Sequence, residues 1–166
     1  MELNLPIILA SALIPLVVGF IWYHPALFGN TWMKAAGLTP DSVKGGNMAL
    51  IFGLTFLFSF FLAFAVQFIV IHQWHIYSLL AEEPGLDDPT TLAGGLLKTI
   101  LDNYGSHFRT FGHGSFHGVL AGITTALPIL AINALFERKG FKYVALNAGY
   151  WIVTLALMGG VLCAFS

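Results

Sequence analysis

The chain has 166 residues, of which 57% are hydrophobic and only 9% charged, with a mean hydropathy of +0.81. Soluble domains carry about 25% charged residues, so this composition excludes an ordinary water-soluble globule. Seven basic residues against eight acidic ones leave a net charge of −1, which provides no basic surface for nucleic acid, and the one cysteine, Cys163, excludes an internal disulfide.

The charges leave long gaps. No Asp, Glu, Lys or Arg occurs in 3–33, 45–81, 110–136 or 143–166, and each gap exceeds the roughly 20 apolar residues that cross a bilayer as a helix. Hydrocarbon offers no partner for a free N–H or C=O, so such segments must be helical. The chain is therefore read as an all-α, polytopic membrane protein, one domain over 1–166 with four transmembrane helices.

The first span is expected at about 5–23. Ala10-Ser11-Ala12 has the look of a signal-peptide cleavage site, but the segment before it is short, contains Pro6 and has no preceding Lys or Arg, so an uncleaved span is expected. Pro15 lies inside it and should kink it. In the following loop, Thr39-Pro40-Asp41 reads as a helix start for the second span, at about 48–74.

Next, Asp88 before Pro89 reads as a cap and first-position proline. Leu92, Leu96, Leu97, Ile100, Leu101 and Tyr104 then share one helical face, with Gly105 as the stop. A short amphipathic helix is expected here, covering the bundle or lying on the membrane. Its polar face has too few Lys and Arg to favour anionic lipid. The third span, at about 113–136, contains Pro128, and the fourth lies at about 143–165.

Lys34, Lys44, Arg138, Lys139 and Lys142 flank the first and third loops, whereas the long acidic second loop holds only Lys98 and Arg109. The positive-inside bias places the first and third loops in the cytoplasm and both termini outside. Trp22, Tyr23, Trp74, Tyr77 and Tyr143 stand at span ends, where interfacial aromatics belong.

Gly114, Gly118 and Gly122 recur every fourth residue, and Gly149 and Gly159 continue a small-residue surface on the fourth span. Such ridges admit a second helix closely, either within the bundle or from a partner copy. Gln67, Asn133 and Asn147 are the conspicuous intramembrane amides, and Asn133 and Asn147 lie at a depth suited to bonding each other. No acidic or basic residue lies deep in a span, which removes the usual carriers of a proton relay or voltage sensor.

Histidine is the exception. His72 and His75 end the second span and His113 and His117 begin the third, each pair spaced for one helical face. The topology brings both pairs to the outer leaflet, where they could hold Zn²⁺ or Cu, or ligate a haem iron. Imidazole binds metal through a neutral nitrogen, so such a site weakens below roughly pH 6.5. The competing reading is four interfacial histidines bonded to backbone, headgroups or one another. No catalytic constellation is visible: Ser115 and His117 sit in Gly114-Ser115-Phe116-His117-Gly118, but on a helix and not at a strand-to-helix elbow.

Trp22-Tyr23-His24-Pro25, Phe28-Gly29 and Trp32 form the pattern W-Y-x-P-x-x-F-G-x-x-W, and Phe136-Glu137-Arg138, Asn147-x-Gly149-Tyr150 and Met158-Gly159 follow in the C-terminal half. This resembles a family of small bacterial membrane proteins known as a domain of unknown function, DUF1761. Phe108-Arg109-Thr110-Phe111 and Glu137-Arg138-Lys139-Gly140 resemble its Bacteroidota-type form. The resemblance implies four helices in the cytoplasmic membrane and carries no activity with it. Within the shared pattern, Pro25 and Gly29 should turn the chain between Trp22 and Trp32, with Asn147 and Tyr150 satisfying backbone freed there or near Pro128.

The leading expectation is a non-enzymatic protein of the lipid bilayer that associates with itself or with other membrane proteins, as a homo-oligomer or small accessory subunit. The alternatives are a metal- or haem-binding protein using the four histidines, and a small dimeric carrier.

Overall fold

The computed structural model describes residues 3–166, and every regular element among them is helical. In chain order these are α1 (Leu5–Ser11), α2 (Ile14–Trp22), α3 (Gly29–Ala36), α4 (Met48–Val70), α5 (Gln73–Leu80), α6 (Leu92–Tyr104), α7 (Phe111–Ala121), a π-helical turn (Gly122–Ala126), α8 (Leu127–Phe136) and α9 (Phe141–Phe165). Four stretches are long and apolar enough to cross a membrane: Leu5–Trp22, Met48–Val70, Phe111–Phe136 and Phe141–Phe165.

The first and third spans are interrupted just before their prolines. Pro15 has no N–H to return to the preceding turn, and α1 stops at Ser11 before α2 resumes at Ile14. Ahead of Pro128 the chain widens into the π turn rather than breaking.

The second span departs from the expected 48–74. Helix α4 ends at Val70, Ile71 is extended at φ −109° and ψ 98°, and α5 starts afresh at Gln73. The freed backbone is met locally and from across the bundle. Trp74 N–H donates to the Ile71 carbonyl at 3.3 Å, and the Cys163 thiol, 3.4 Å away, takes the Val70 carbonyl that a continuing helix would have used.

Other boundaries also move. Gly45, at φ +89°, and Gly46 separate the Thr39–Ser42 turn from α4, whose cap is Asn47, accepting from Leu50 N–H at 3.1 Å. Thus Thr39-Pro40-Asp41 does not start the span. The third and fourth spans each begin two residues earlier than expected, α7 being capped by the Thr110 hydroxyl.

The loop helix forms as α6, capped by Thr91 and not by Asp88. The Asp88 carboxylate instead accepts from Thr90 N–H and hydroxyl at 2.9 and 2.7 Å, bonds that hold it below the usual carboxylate range. Its packed face is Ala93, Gly94 and Leu97; Leu92 is 91% exposed and Tyr104 faces out, contrary to the leucine stripe. Gly105 is right-handed at φ −60°, so it is no left-handed stop. Gln73, on α5, ends the helix by donating to the carbonyls of Tyr104 and His107 at 3.2 and 3.0 Å.

Helix α9 is the centre of the bundle, touching α1, α2, α3, α4, α7 and α8, with its most extensive contact on α7. Gly114 and Gly118 face it so closely that a Cβ at either would overlap the carbonyl oxygen of Gly159 or Leu155, and one at Gly122 would lie 2.8 Å from the Ile152 Cα. Gly159 packs back on Gly114, whereas Gly149 faces the Trp22 ring, 3.0 Å from where its Cβ would be. At the end holding both Asn4 and Phe165, the core is built from Ile8, Val66, Val70, Ile71, Met158 and Leu162.

Gln67 is fully buried in this core, and among the described residues neither amide atom has a hydrogen-bond partner. An unmatched buried polar group costs about 1–3 kcal/mol. Gln67→Met, similar in shape, is therefore expected to raise the thermal unfolding temperature in detergent; a lowered one would show that the amide is paired.

Candidate metal centre

Three of the four expected histidines converge. His72 stands in the break after α4, as the residue that caps α5; His113 lies in the first turn of α7 and His117 one turn later. Their ligand atoms all lie within 4.8 Å of one another. The Nε2 atoms of His72 and His113 are 2.9 Å apart, one donating and the other accepting according to tautomer. Ring centroids are separated by 4.6 Å for His113–His117, 4.9 Å for His72–His117 and 5.0 Å for His72–His113.

His75 does not join them. Both follow the break at Ile71 and share the first turn of α5, where His75 N–H donates to the His72 carbonyl at 3.0 Å, but their rings diverge. His75 is exposed on α5, its ring 6.5 Å from that of His72. His107 packs edge-on to Tyr104 and Phe108.

Burial holds the His72 imidazole below the usual histidine range, with His113 and His75 adding to the effect. It is therefore neutral at pH 7, the form that ligates metal.

Phe108, Arg109 and Cys163 support the site, a role that nothing in the sequence pattern marks. The Phe108 ring stacks on His113 at 4.9 Å and meets His72 edge-on at 6.2 Å. Its backbone sits at φ +62°, a conformation that costs a bulky residue about 1–3 kcal/mol. What holds it there is next to it. Its carbonyl lies 3.2 Å from the Cys163 thiol, and Arg109 donates to the carbonyl oxygens of Cys163, at 3.0 Å, and Ser166.

The tryptophan-tyrosine motif occupies the opposite end of the bundle. Asn147 Oδ1 accepts from the Tyr23 hydroxyl at 3.2 Å and from Trp32 Nε1 at 3.3 Å, while its Nδ2 donates to the Tyr143 carbonyl at 2.8 Å. Trp22 Nε1 donates to the Leu146 carbonyl at 3.1 Å and its ring packs on Phe28 at 4.6 Å. Tyr150 donates to the Pro15 carbonyl at 2.9 Å, so it serves the first span and not the region of Pro128. Burial, then Tyr150 and Tyr143, raise the Tyr23 hydroxyl above the usual tyrosine range and keep it a donor. Gly29 lies against the Tyr23 backbone where no Cβ fits, in the turn that Pro25 opens. Asn133 is exposed on α8, so the expected Asn133–Asn147 bond is not made. Glu137 caps α8 and is exposed.

Four bilayer-length apolar helices define a polytopic α-helical membrane protein. The family is shown as well. The chain matches the family described as a protein of unknown function (DUF1761) over residues 6–163, and it belongs to that family. No curated protein and no solved structure matches it.

Proposed function

We propose that this protein is a membrane-embedded binder of a transition-metal ion, held by His72, His113 and His117. The observation that carries the reading is the convergence of these imidazoles from two spans. Two imidazoles on one tetrahedral zinc, at Zn–N of about 2.0–2.1 Å, have centroids about 5 Å apart and nitrogens about 3.3 Å apart. The three centroid separations already match, and the His72–His113 nitrogens at 2.9 Å need only spread slightly. Three neutral imidazoles suit zinc or copper. They do not suit a bis-histidine haem, whose ligands must stand on opposite sides of an iron with the porphyrin between them; nitrogens 2.9 Å apart leave no room for that plane.

The bias of basic residues toward the first and third loops supports a bacterial inner-membrane orientation with this site and both termini outward. An associating role, as homo-oligomer or accessory subunit, would have to use surfaces other than the Gly114–Gly118–Gly122 ridge, which α9 of the same chain covers.

Purified protein in mild detergent, equilibrated with Zn²⁺ and freed of excess, is expected to retain one zinc per chain by elemental analysis. His113→Ala and His117→Ala should each weaken binding at least about ten-fold. A wild-type protein that retains no zinc overturns the reading, as does unchanged binding in both variants.

A further inference from the structure

Resting on that metal site, we infer that the bound ion keeps an exchangeable fourth position, open to water or a small monodentate anion from outside the protein. Zinc takes four ligands; a structural site fills all four from the chain, whereas a reactive site fills three and leaves the last to water or substrate. Here the chain supplies three. Among the described residues, no cysteine, aspartate or glutamate joins the three-histidine group.

The two side chains that could close the site are directed elsewhere. His75 is exposed on α5 with its ring 6.5 Å from His72, farther than the about 5 Å that two imidazoles on one tetrahedral ion require. The Cys163 thiol lies between the carbonyl oxygens of Val70 and Phe108, to either of which its one S–H can donate, and it is not among the converging ligand atoms. All three histidines are partly exposed, so the ion is reachable. Charge points the same way. Three neutral imidazoles leave the full double charge of the ion uncompensated, so the vacant position favours hydroxide or another small anion over a neutral ligand. The site thus has the donor set of a Lewis-acid centre, able to lower the pKa of a bound water to about 7, and not that of a structural clip.

Cobalt(II), which reports its coordination in visible d–d bands, tests this in the full-length protein in detergent, with azide as the exogenous ligand. The expected result is a cobalt spectrum that azide shifts saturably, with His75→Ala binding cobalt within about two-fold of wild type and giving the same azide response. Cobalt that binds to wild type but whose bands ignore azide overturns the open position while leaving the three-histidine site standing. A loss of ten-fold or more in cobalt affinity in His75→Ala does so too, by identifying the internal fourth ligand. Absence of cobalt binding to the wild type overturns the site itself and the open position with it.

Discussion

Gly118→Ala is expected to cost about 3 kcal/mol of stability, the upper part of the range for overpacking a tight contact. The added methyl would overlap the Leu155 carbonyl, and backbone cannot turn aside as a side-chain end can. Helices α7 and α9 would have to separate along the most extensive contact in the bundle. Gly53, on α4, has nothing within 4 Å of its would-be Cβ. There alanine should gain about 0.5–1 kcal/mol through helix propensity. Thermal unfolding in one detergent should therefore rank Gly118→Ala below wild type and wild type below Gly53→Ala. A Gly118 variant that melts with the wild type would mean that the two backbones are not in contact.

Asn147→Ala should be the next most damaging change, at about 2 kcal/mol. Three bonds meet at this amide, and its loss leaves the Tyr23 hydroxyl and the Trp32 indole without an acceptor. Those donors belong to the end of α2 and to α3, so the substitution loosens two elements from α9 together. Single hydrogen bonds between membrane helices average about 0.6 kcal/mol, and a shared acceptor is where such terms combine. Asn133→Ala, at an exposed site on α8, should stay within about 0.5 kcal/mol of wild type. Equal losses from both would show that Asn147 is no hub.

What the sequence makes legible follows from where charges stand. An ionised side chain must reach water, so the four gaps report the number and order of the spans. They do not report where a helix stops inside an apolar run. The break at Ile71 lies in an uncharged run, and the Val70 carbonyl it frees is met by a thiol 93 positions away. That one event moves the end of α4 and makes His72 the cap of a new helix, α5.

Spacing within a single helix is the more dependable guide: it places His113 and His117 together because α7 runs unbroken through both. Depth alone is a poor guide to partners. Asn133 and Asn147 share a level, yet Asn147 turns to Tyr23 and to Trp32, which the short helix α3 returns to the bundle. The role of Phe108 is not legible in the sequence for a different reason. Its place over His113 depends on a left-handed backbone held by Cys163 and Arg109, and no pattern of hydrophobicity encodes that.

The π turn at Gly122–Ala126 also sets the phase of the third span. Gly122 and Ala134 are both buried. On an uninterrupted α-helix, at about 100° per residue, they would point about 120° apart. Absorbing one residue in the wide turn reduces the difference to about 20°, so the face that begins with glycines continues into α8 toward the same side of the bundle. The extra residue is thus compensated in angle and not looped out. A relative one residue shorter between Gly122 and Ala126 could bury the same faces with a regular helix. Alignments within the family are therefore expected to gap in the middle of this span, where insertions are ordinarily forbidden, and to leave the histidines before it in register.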